Sequence, residues 1–413
     1  MTTQALARKV MRRADLLGKI SDEPGRLTRL SWSPAMHRAN DQVTRWMHEA
    51  GMTAREDPIG NLIGRWPSSN PKAKTFLIGS HLDTVRGAGK YDGVLGVLAG
   101  IACVERLRRE RRKLPFHLEV VGFADEEGVH FQSAYLGSGA WTGSTTRADL
   151  QRKDEDDVTL AESIRRFGGD PDRLSEVRRR REELLGYAEV HIEQGPVLES
   201  RRTAVGVVTH IVGITRARLT FRGVAGHAGT TPMDLRHDAL CAAAEFVLAV
   251  EEFARERKGL VATIGELNVT AGAVNVIPGS VTLSLDVRHA DDRRRGAACA
   301  RLRQLAGKIG TRRGVRVDWQ PRAETKAVAC SSRLVGLLRR AAGRFQKRVP
   351  MLISGAGHDA AELARLTPVT MLFVRCKNGI SHNPAESVQA SDVAVAIETM
   401  NDFLDLLARR ERE

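Results

Sequence analysis

Apolar residues recur along this chain with two different periods. In PAMHRANDQVTRWMHEAG, residues 34 to 51, they return every three or four positions, with Pro near the start and Gly at the end, which predicts an amphipathic helix. AREDPIGNLIGRW then reads as a hairpin, and KTFLIGSH as a buried strand that stops at a glycine-rich loop. YDGVLGVLAGIACVERLRR predicts a helix rich in small residues and able to lie close on a sheet. FHLEVVGFADEEG reads as an apolar strand ending in three acids. Strand, helix, strand in this order predicts a parallel or mixed α/β sheet with a site at the carboxyl ends of its strands. Residues 144 to 185 are charged and predict small peripheral helices, after which YAEVHIEQGPVLE returns to a strand with polar groups at its end.

The texture then changes. ITRARLTFRG alternates like a sheet with one wet face, DLRHDALCAAAEFVLAVEEFARE predicts a long helix, and LVATIGELNV and SVTLSLDVRH read as strands. With a helix from about 291 to 309 and the strand RVDWQPRAE, this is the split sheet-and-helix plan of a ferredoxin-like α+β domain. The expected fold is therefore α/β: a mixed-sheet catalytic domain with helices on both faces, spanning 1–208 and 325–413, and an inserted domain at 209–324.

Composition narrows the class. A chain of 413 residues exceeds one ordinary core, and 42% hydrophobic with 28% charged residues suits a globular protein. No segment reaches the roughly 18 uninterrupted apolar residues that a membrane crossing needs. The N-terminal MTTQALARKVMRRADLL is basic and amphipathic, unlike a secretory signal. Five scattered cysteines argue against a disulfide framework and predict a reducing cytoplasm. Cys103, Cys241 and Cys299 sit in helix-like, alanine-rich surroundings and are expected to be small buried residues. A net charge of +14 invites a nucleic-acid reading. However, RLRRERRK, VRRRREEL and DDRRRG look like solvated helix ends with few aromatics to stack on bases, and neither a nucleic-acid nor a membrane partner is expected.

The chemistry lies at the strand ends. His81, Asp92, Glu126, Glu127, His191 and His382 each follow a predicted strand closely or lie in a loop after one. Imidazole and carboxylate donors suit Zn²⁺, Mn²⁺ or a similar divalent ion, and five of them suffice for two ions if one carboxylate bridges. Asp92, in a glycine-rich turn, is the best bridge. Asp83, two residues past His81, is placed to accept that imidazole's other proton. Of the paired acids, one must bind metal while its neighbour stays free to take a proton from water.

These residues fall within GSHLDTV, GKYDG, ADEEG, VHIEQGPVLE, GHAGTTPM, NVIPG, DVRH, SGAGHDA and NGISHNPAE, which run in order from residue 79 to 386. The ordered set resembles the dinuclear-metal amidohydrolase and aminopeptidase superfamily, in the branch of allantoate amidohydrolases, N-carbamoyl-L-amino-acid hydrolases and β-ureidopropionases. The resemblance implies that His81 and His191 hold one ion, Glu127 and His382 the other, and that Asp92 bridges them. It makes Glu126 the general base, with Asp83 orienting His81. Gln194 resembles a substrate-facing residue. His227 resembles a lid histidine that crosses to the neighbouring subunit of a homodimer and stabilises the oxyanion. Asn275 and Arg288 resemble the pair that holds the substrate carboxylate, for which a planar guanidinium fork is apt. Gly357 offers backbone at close range.

The branch hydrolyses an N-carbamoyl (ureido) group near a carboxylate, and its shared machinery does not distinguish substrates. RLSWSP, DEEGVHFQSAYLGS and the long VPMLISGAGHDAAELARLTPVTMLFVRCKNGISHNPAE are most similar to allantoate amidohydrolases, which usually use Mn²⁺, with Zn²⁺, Co²⁺ or Ni²⁺ as alternatives. The implied product set is ureidoglycine, CO2 and ammonia, with carbamoyl-L-amino acids as the alternative substrates. His130 departs from the pattern, standing where relatives typically carry Arg.

Overall fold

The β-branched and aromatic runs form the strands that the sequence period predicts. Thr75–His81 (β1), His117–Phe123 (β2), Leu184–Ile192 (β3) and Val369–Val374 (β4) lie side by side in the order β2, β1, β3, β4, all parallel. Thr53–Glu56 and Leu62–Trp66 form the expected hairpin and extend the sheet antiparallel beyond β2, while Val205–Ile211 runs antiparallel beside β4. The sheet is thus mixed. Every residue of β1, β2 and β4 is buried, so both faces of the parallel centre are covered.

The computed structural model describes residues 2–412, which divide into two compact units. The first holds the mixed sheet and comprises the chain up to Thr209 together with the part from Cys330 onward; the second is His210–Ala329. In the first, helix Val94–Arg109 (α1) lies directly on the sheet because its small residues permit it. A Cβ on Gly96 would stand 2.2 Å from the Val190 carbonyl oxygen of β3. No helix among the described residues is long and apolar enough to cross a membrane.

The second unit is built on a five-stranded antiparallel sheet. Gly213–Arg222 and Ser280–His289 pair in the middle, with Arg316–Thr325 on one side and the short strands Val261–Thr263 and Leu267–Thr270 on the other. Residues of Ser280–His289 alternate between buried and half-buried, so one face carries the core. Helices Ala239–Arg255 (α2) and Asp292–Arg313 (α3) supply that core with Ala242, Phe246, Val250, Leu302 and Ala306, packed on Leu219, Phe221, Val281 and Leu283. A separate ribbon pairs Gly226–His227 with Val276–Ile277.

Two of the charged runs differ from the expected solvated helix ends. Residues 178–180 are not helical, and Arg179 is largely buried, its guanidinium 2.9 Å from Glu119 and 4.9 Å above the Trp141 ring. Arg295 is 1% exposed, held by Asp292, Glu324 and the Thr215 hydroxyl. Arginine tolerates such sites because its fork satisfies several acceptors at once. Cys103 is buried as expected; Cys241 is exposed and Cys299 half-buried, because the outer flanks of α2 and α3 face away from the core.

Phe246 is fully buried, with its ring 5.8 Å from that of Phe221. Phe246→Ala is expected to destabilise the second unit by about 3–5 kcal/mol, seen in urea denaturation as an earlier transition.

Candidate metal centre

Four parallel strands end together, and the loops that leave them carry the donors. His81 closes β1, Asp92 sits in the turn before α1, Glu126 and Glu127 follow β2, His191 is the penultimate residue of β3, and His382 is in the loop after β4. Local backbone explains why these loops turn so sharply. Gly93 has φ +65°, and a Cβ there would stand 2.5 Å from the His81 ring. Asp125, Tyr135, Gln194 and His382, none of them glycine, are also left-handed, with φ of 56°, 64°, 56° and 55°. Such conformations cost on the order of 1–2 kcal/mol each and concentrate at functional sites.

Asp92 faces two ways. Its Oδ1 is 3.0 Å from His191 Nε2 and 3.6 Å from His81 Nε2, while its Oδ2 is 3.3 Å from His382 Nε2. The same His382 nitrogen is 3.5 Å from Glu127 Oε1. Two donor sets result, His81–Asp92–His191 and Asp92–Glu127–His382, each with its donor atoms within 4.8 Å of one another. Glu126 stands beside the first set, its Oε2 3.8 Å from His81 Nε2.

The imidazole tautomers follow from what each Nδ1 meets. His81 Nδ1 is 3.1 Å from the Asp83 carbonyl oxygen, and His191 Nδ1 is 2.9 Å from the Ile192 carbonyl oxygen. A carbonyl only accepts, so both Nδ1 atoms carry hydrogen and both Nε2 atoms face Asp92, where each pairs with the carboxylate as Nε2–H and would ligate a metal ion once that proton is lost. The Asp83 carboxylate is 3.7 Å from His81 Nδ1, and its oxygens instead accept the backbone N–H groups of Glu126 at 3.3 Å and Glu127 at 3.2 Å. Asp83 thereby grips both the histidine and the acid pair.

The electrostatics are those of a cation site. Asp83, Asp92, Asp125, Glu126, Glu189 and Asp359 are all buried within the same region, with Glu127 half-buried. Burial, then the Glu127 and Asp359 charges, push Glu126 well above the usual carboxylate range, although His81 opposes them. Burial and the Asp92 charge raise Glu127 to about 7. Burial pulls His81 down, but Glu126, Asp92 and Asp83 outweigh it and leave the imidazole well above its ordinary value. His382 rises to about 8, chiefly through its hydrogen bond to Asp92. Asp92 goes the other way: burial opposes ionisation, yet three histidines hold it well below the normal range. Glu127 Oε1 is buried without a hydrogen-bond partner, a position that a divalent cation satisfies. The donor set therefore fits metal ions, with His81, His191, Asp92, Glu127 and His382 as the residues that would hold them.

The remaining expected residues fall in different places. Gln194 Nε2 donates to Asp92 Oδ2 at 2.8 Å, so this side chain reaches the central carboxylate. Gly357 is required by a neighbour: the Tyr135 hydroxyl lies 1.8 Å from where its Cβ would be. His130 stacks on Phe131 at 4.3 Å and pairs with the Ser31 carbonyl oxygen at 2.6 Å and with Asp154 at 3.3 Å. In the second unit, His227 and Asn275 adjoin in the short ribbon, where Ala228 N–H donates to the Asn275 carbonyl oxygen at 2.9 Å. Arg288 lies on Ser280–His289 and forms a fork with Asp286, at 2.7 and 3.1 Å.

Three residues were missed from sequence. Ser381 Oγ is 2.6 Å from Asp92 Oδ2 and 3.1 Å from Glu386 Oε2. Glu386 Oε1 accepts the backbone N–H of Tyr91 at 2.7 Å and of Asp92 at 3.2 Å, clamping the turn that carries Asp92. Beneath them, Glu189 accepts from Ser80 Oγ at 2.8 Å and from Ala360 N–H at 2.9 Å. An acid inside the otherwise apolar strand AEVHI was the available signal for Glu189. For Ser381 and Glu386 it was only their place in SHNPAE.

Fold and site together are those of a metal-dependent hydrolase. The chain belongs to peptidase family M20/M25/M40, whose sequence profile matches residues 77–406. It is 38% identical to allantoate deiminase 1 of Glycine max, over 98% of this chain and 90% of the relative. It is 39% identical to an N-carbamoyl-L-amino acid amidohydrolase of Geobacillus stearothermophilus, over 96% and 97%. Among solved structures, an amidase of the hydantoinase/carbamoylase family from Burkholderia multivorans superposes with a TM-score of 0.91 at 33% identity, covering 96% of this chain and 97% of that one.

Two outcomes are expected. Because Glu127 near 7 and His382 near 8 must shed protons to bind metal, affinity should rise with pH through this range. It should change roughly tenfold per pH unit for each proton displaced, with proton release visible by calorimetry in buffers of different ionisation enthalpy. Glu386→Gln should weaken metal binding by about 10–100-fold while the metal-free melting temperature stays close to that of the parent.

Proposed function

We propose that this protein is a metal-dependent allantoate amidohydrolase, hydrolysing one ureido C–N bond of allantoate to give ureidoglycine, CO2 and ammonia. The observation that carries the reading is Asp92 with its two oxygens turned to separate donor sets, in a chain similar over nearly its whole length to allantoate-cleaving relatives. Two divalent ions per subunit, Mn²⁺ first, would supply Lewis-acid polarisation of the attacked carbonyl and an acidified water.

The side chains divide the rest of the work. Glu126, buried and with a raised proton affinity, takes the proton of the attacking water and returns it to the departing nitrogen. Asp83 keeps the Glu126–Glu127 turn and the His81 ring in place. Gln194 orients Asp92 and the polar edge of the substrate. Arg288 and Asn275 receive the substrate carboxylate, with the Arg288 fork exchanging Asp286 for it, and Gly357 leaves room for close approach. The second unit serves as lid and dimerisation domain, with His227 donating to the developing oxyanion in the partner's site. Strand Leu267–Thr270 is exposed throughout and forms a sheet edge, with Leu248 of α2 also exposed; such an edge suits pairing with a second copy.

Ammonia release from manganese-loaded enzyme tests the substrate. The kcat/KM for allantoate should exceed that for carbamoyl-L-amino acids and carbamoyl-β-alanine by about tenfold or more; a reversed order would assign the protein to carbamoyl-L-amino acids. Glu126→Gln should lower kcat by about 10²–10⁴-fold with both metals retained. Arg288→Ala should act mainly on KM, raising it by about 10–100-fold for carboxylate substrates.

A further inference from the structure

The second unit contains a cavity of about 540 Å³ in the angle between the end of α2 and the start of α3, lined by none of the residues given a role above although it borders His289, the neighbour of Arg288. Its size falls within the roughly 300–1,000 Å³ of small-molecule sites. The floor is mainly apolar, with Phe253, Leu260 and Ala298 buried there beside the His289 imidazole. The rim is cationic. Arg294, Ala297, Ala298 and Arg301 follow the i, i+3, i+4, i+7 spacing that places residues on one helix face, so two arginines flank a flat alanine step. Arg257 and Lys258 face them from the loop after α2.

The positive charge there is poorly opposed. Arg257 is 3.3 Å from Glu256, and Arg294 is 3.8 Å from Asp291. Arg301 meets only the neutral Gln304 amide at 3.3 Å, and Lys258 has no hydrogen-bond or ion-pair partner among the described residues. Arg257 is also held flat. Its guanidinium lies 3.6 Å over the Phe253 ring and donates to the Phe253 carbonyl oxygen at 2.7 Å, so its outer face is a planar cationic shelf. A planar ring stacks on such a shelf, and a multiply charged anion bridges several cations.

We propose that this cavity binds a nucleoside phosphate, with the base on the Arg257–Phe253 stack and the phosphates among Lys258, Arg294 and Arg301. The probes are ADP and, as the ring-less control, inorganic pyrophosphate, titrated calorimetrically into the full-length protein without added metal. ADP should bind at least tenfold more tightly than pyrophosphate. Lys258→Glu with Arg301→Glu should weaken ADP binding at least tenfold and leave ureido hydrolysis unchanged. Ala297→Trp, which fills the cavity without altering charge, should do the same; circular dichroism checks that both variants are folded. Equal affinity for ADP and pyrophosphate would reduce the site to surface charge alone. ADP binding that survives either variant places the ligand elsewhere, and each of these outcomes overturns the proposal.

Discussion

A concentration of buried negative charge at one end of a parallel sheet governs this structure. Asp83, Asp92, Asp125, Glu126, Glu127, Glu189, Asp359 and Glu386 gather where β1, β2, β3 and β4 finish, set against the imidazoles of His81, His191 and His382 and the buried guanidinium of Arg29. Ionised carboxylates in so dry a setting are unfavourable unless cations or hydrogen bonds compensate. The arrangement is stable as a cation-binding site and difficult to rationalise otherwise. Its central member, Asp92, stays ionised while its neighbours are pushed toward their neutral forms.

Much of the surrounding backbone answers to that one side chain. Gly93 clears the His81 ring, Glu386 grips the N–H groups of Tyr91 and Asp92, and Ser381 and Gln194 reach Oδ2. The strained left-handed residues lie in the same loops. Asp83 performs the parallel task for the acid pair, through its carboxylate on two amides and its carbonyl on His81. Asp92, His81 and the backbone of the acid pair are therefore each held by a second polar contact, which is how a site keeps its geometry before a ligand arrives.

The period of apolar residues made the fold largely legible. Strands such as KTFLIGSH and SVTLSLDVRH announce themselves through burial on two faces or on one, and the small-residue run in α1 gives away its close packing on the sheet. The residues that converge in the candidate donor sets were legible because a histidine or acid at a strand end is conspicuous against an apolar run. What stayed hidden depends on distance in the sequence. Nothing local says that Glu386 will clamp a turn 294 residues away, that Gln194 will point at Asp92, that Arg179 will reach the buried Glu119, or that Arg295 will itself be buried against Glu324 and Thr215. Those contacts are decided by how strands stack, and periodicity carries no information about that.

The clamp on the Asp92 turn also bears on biosynthesis. His81, Asp92 and His191 all emerge from the ribosome early, and in principle three donors are available by mid-translation. Yet the carboxylate that fixes the amides of Tyr91 and Asp92 is residue 386, and the strand flanking β3 is 369–374. A nascent chain lacking its final segment thus carries Asp92 on a turn without that clamp, and it lacks His382 altogether. The donor set Asp92–Glu127–His382 is therefore completed, and the Asp92 turn clamped, only when the segment carrying residues 382–386 has joined the fold.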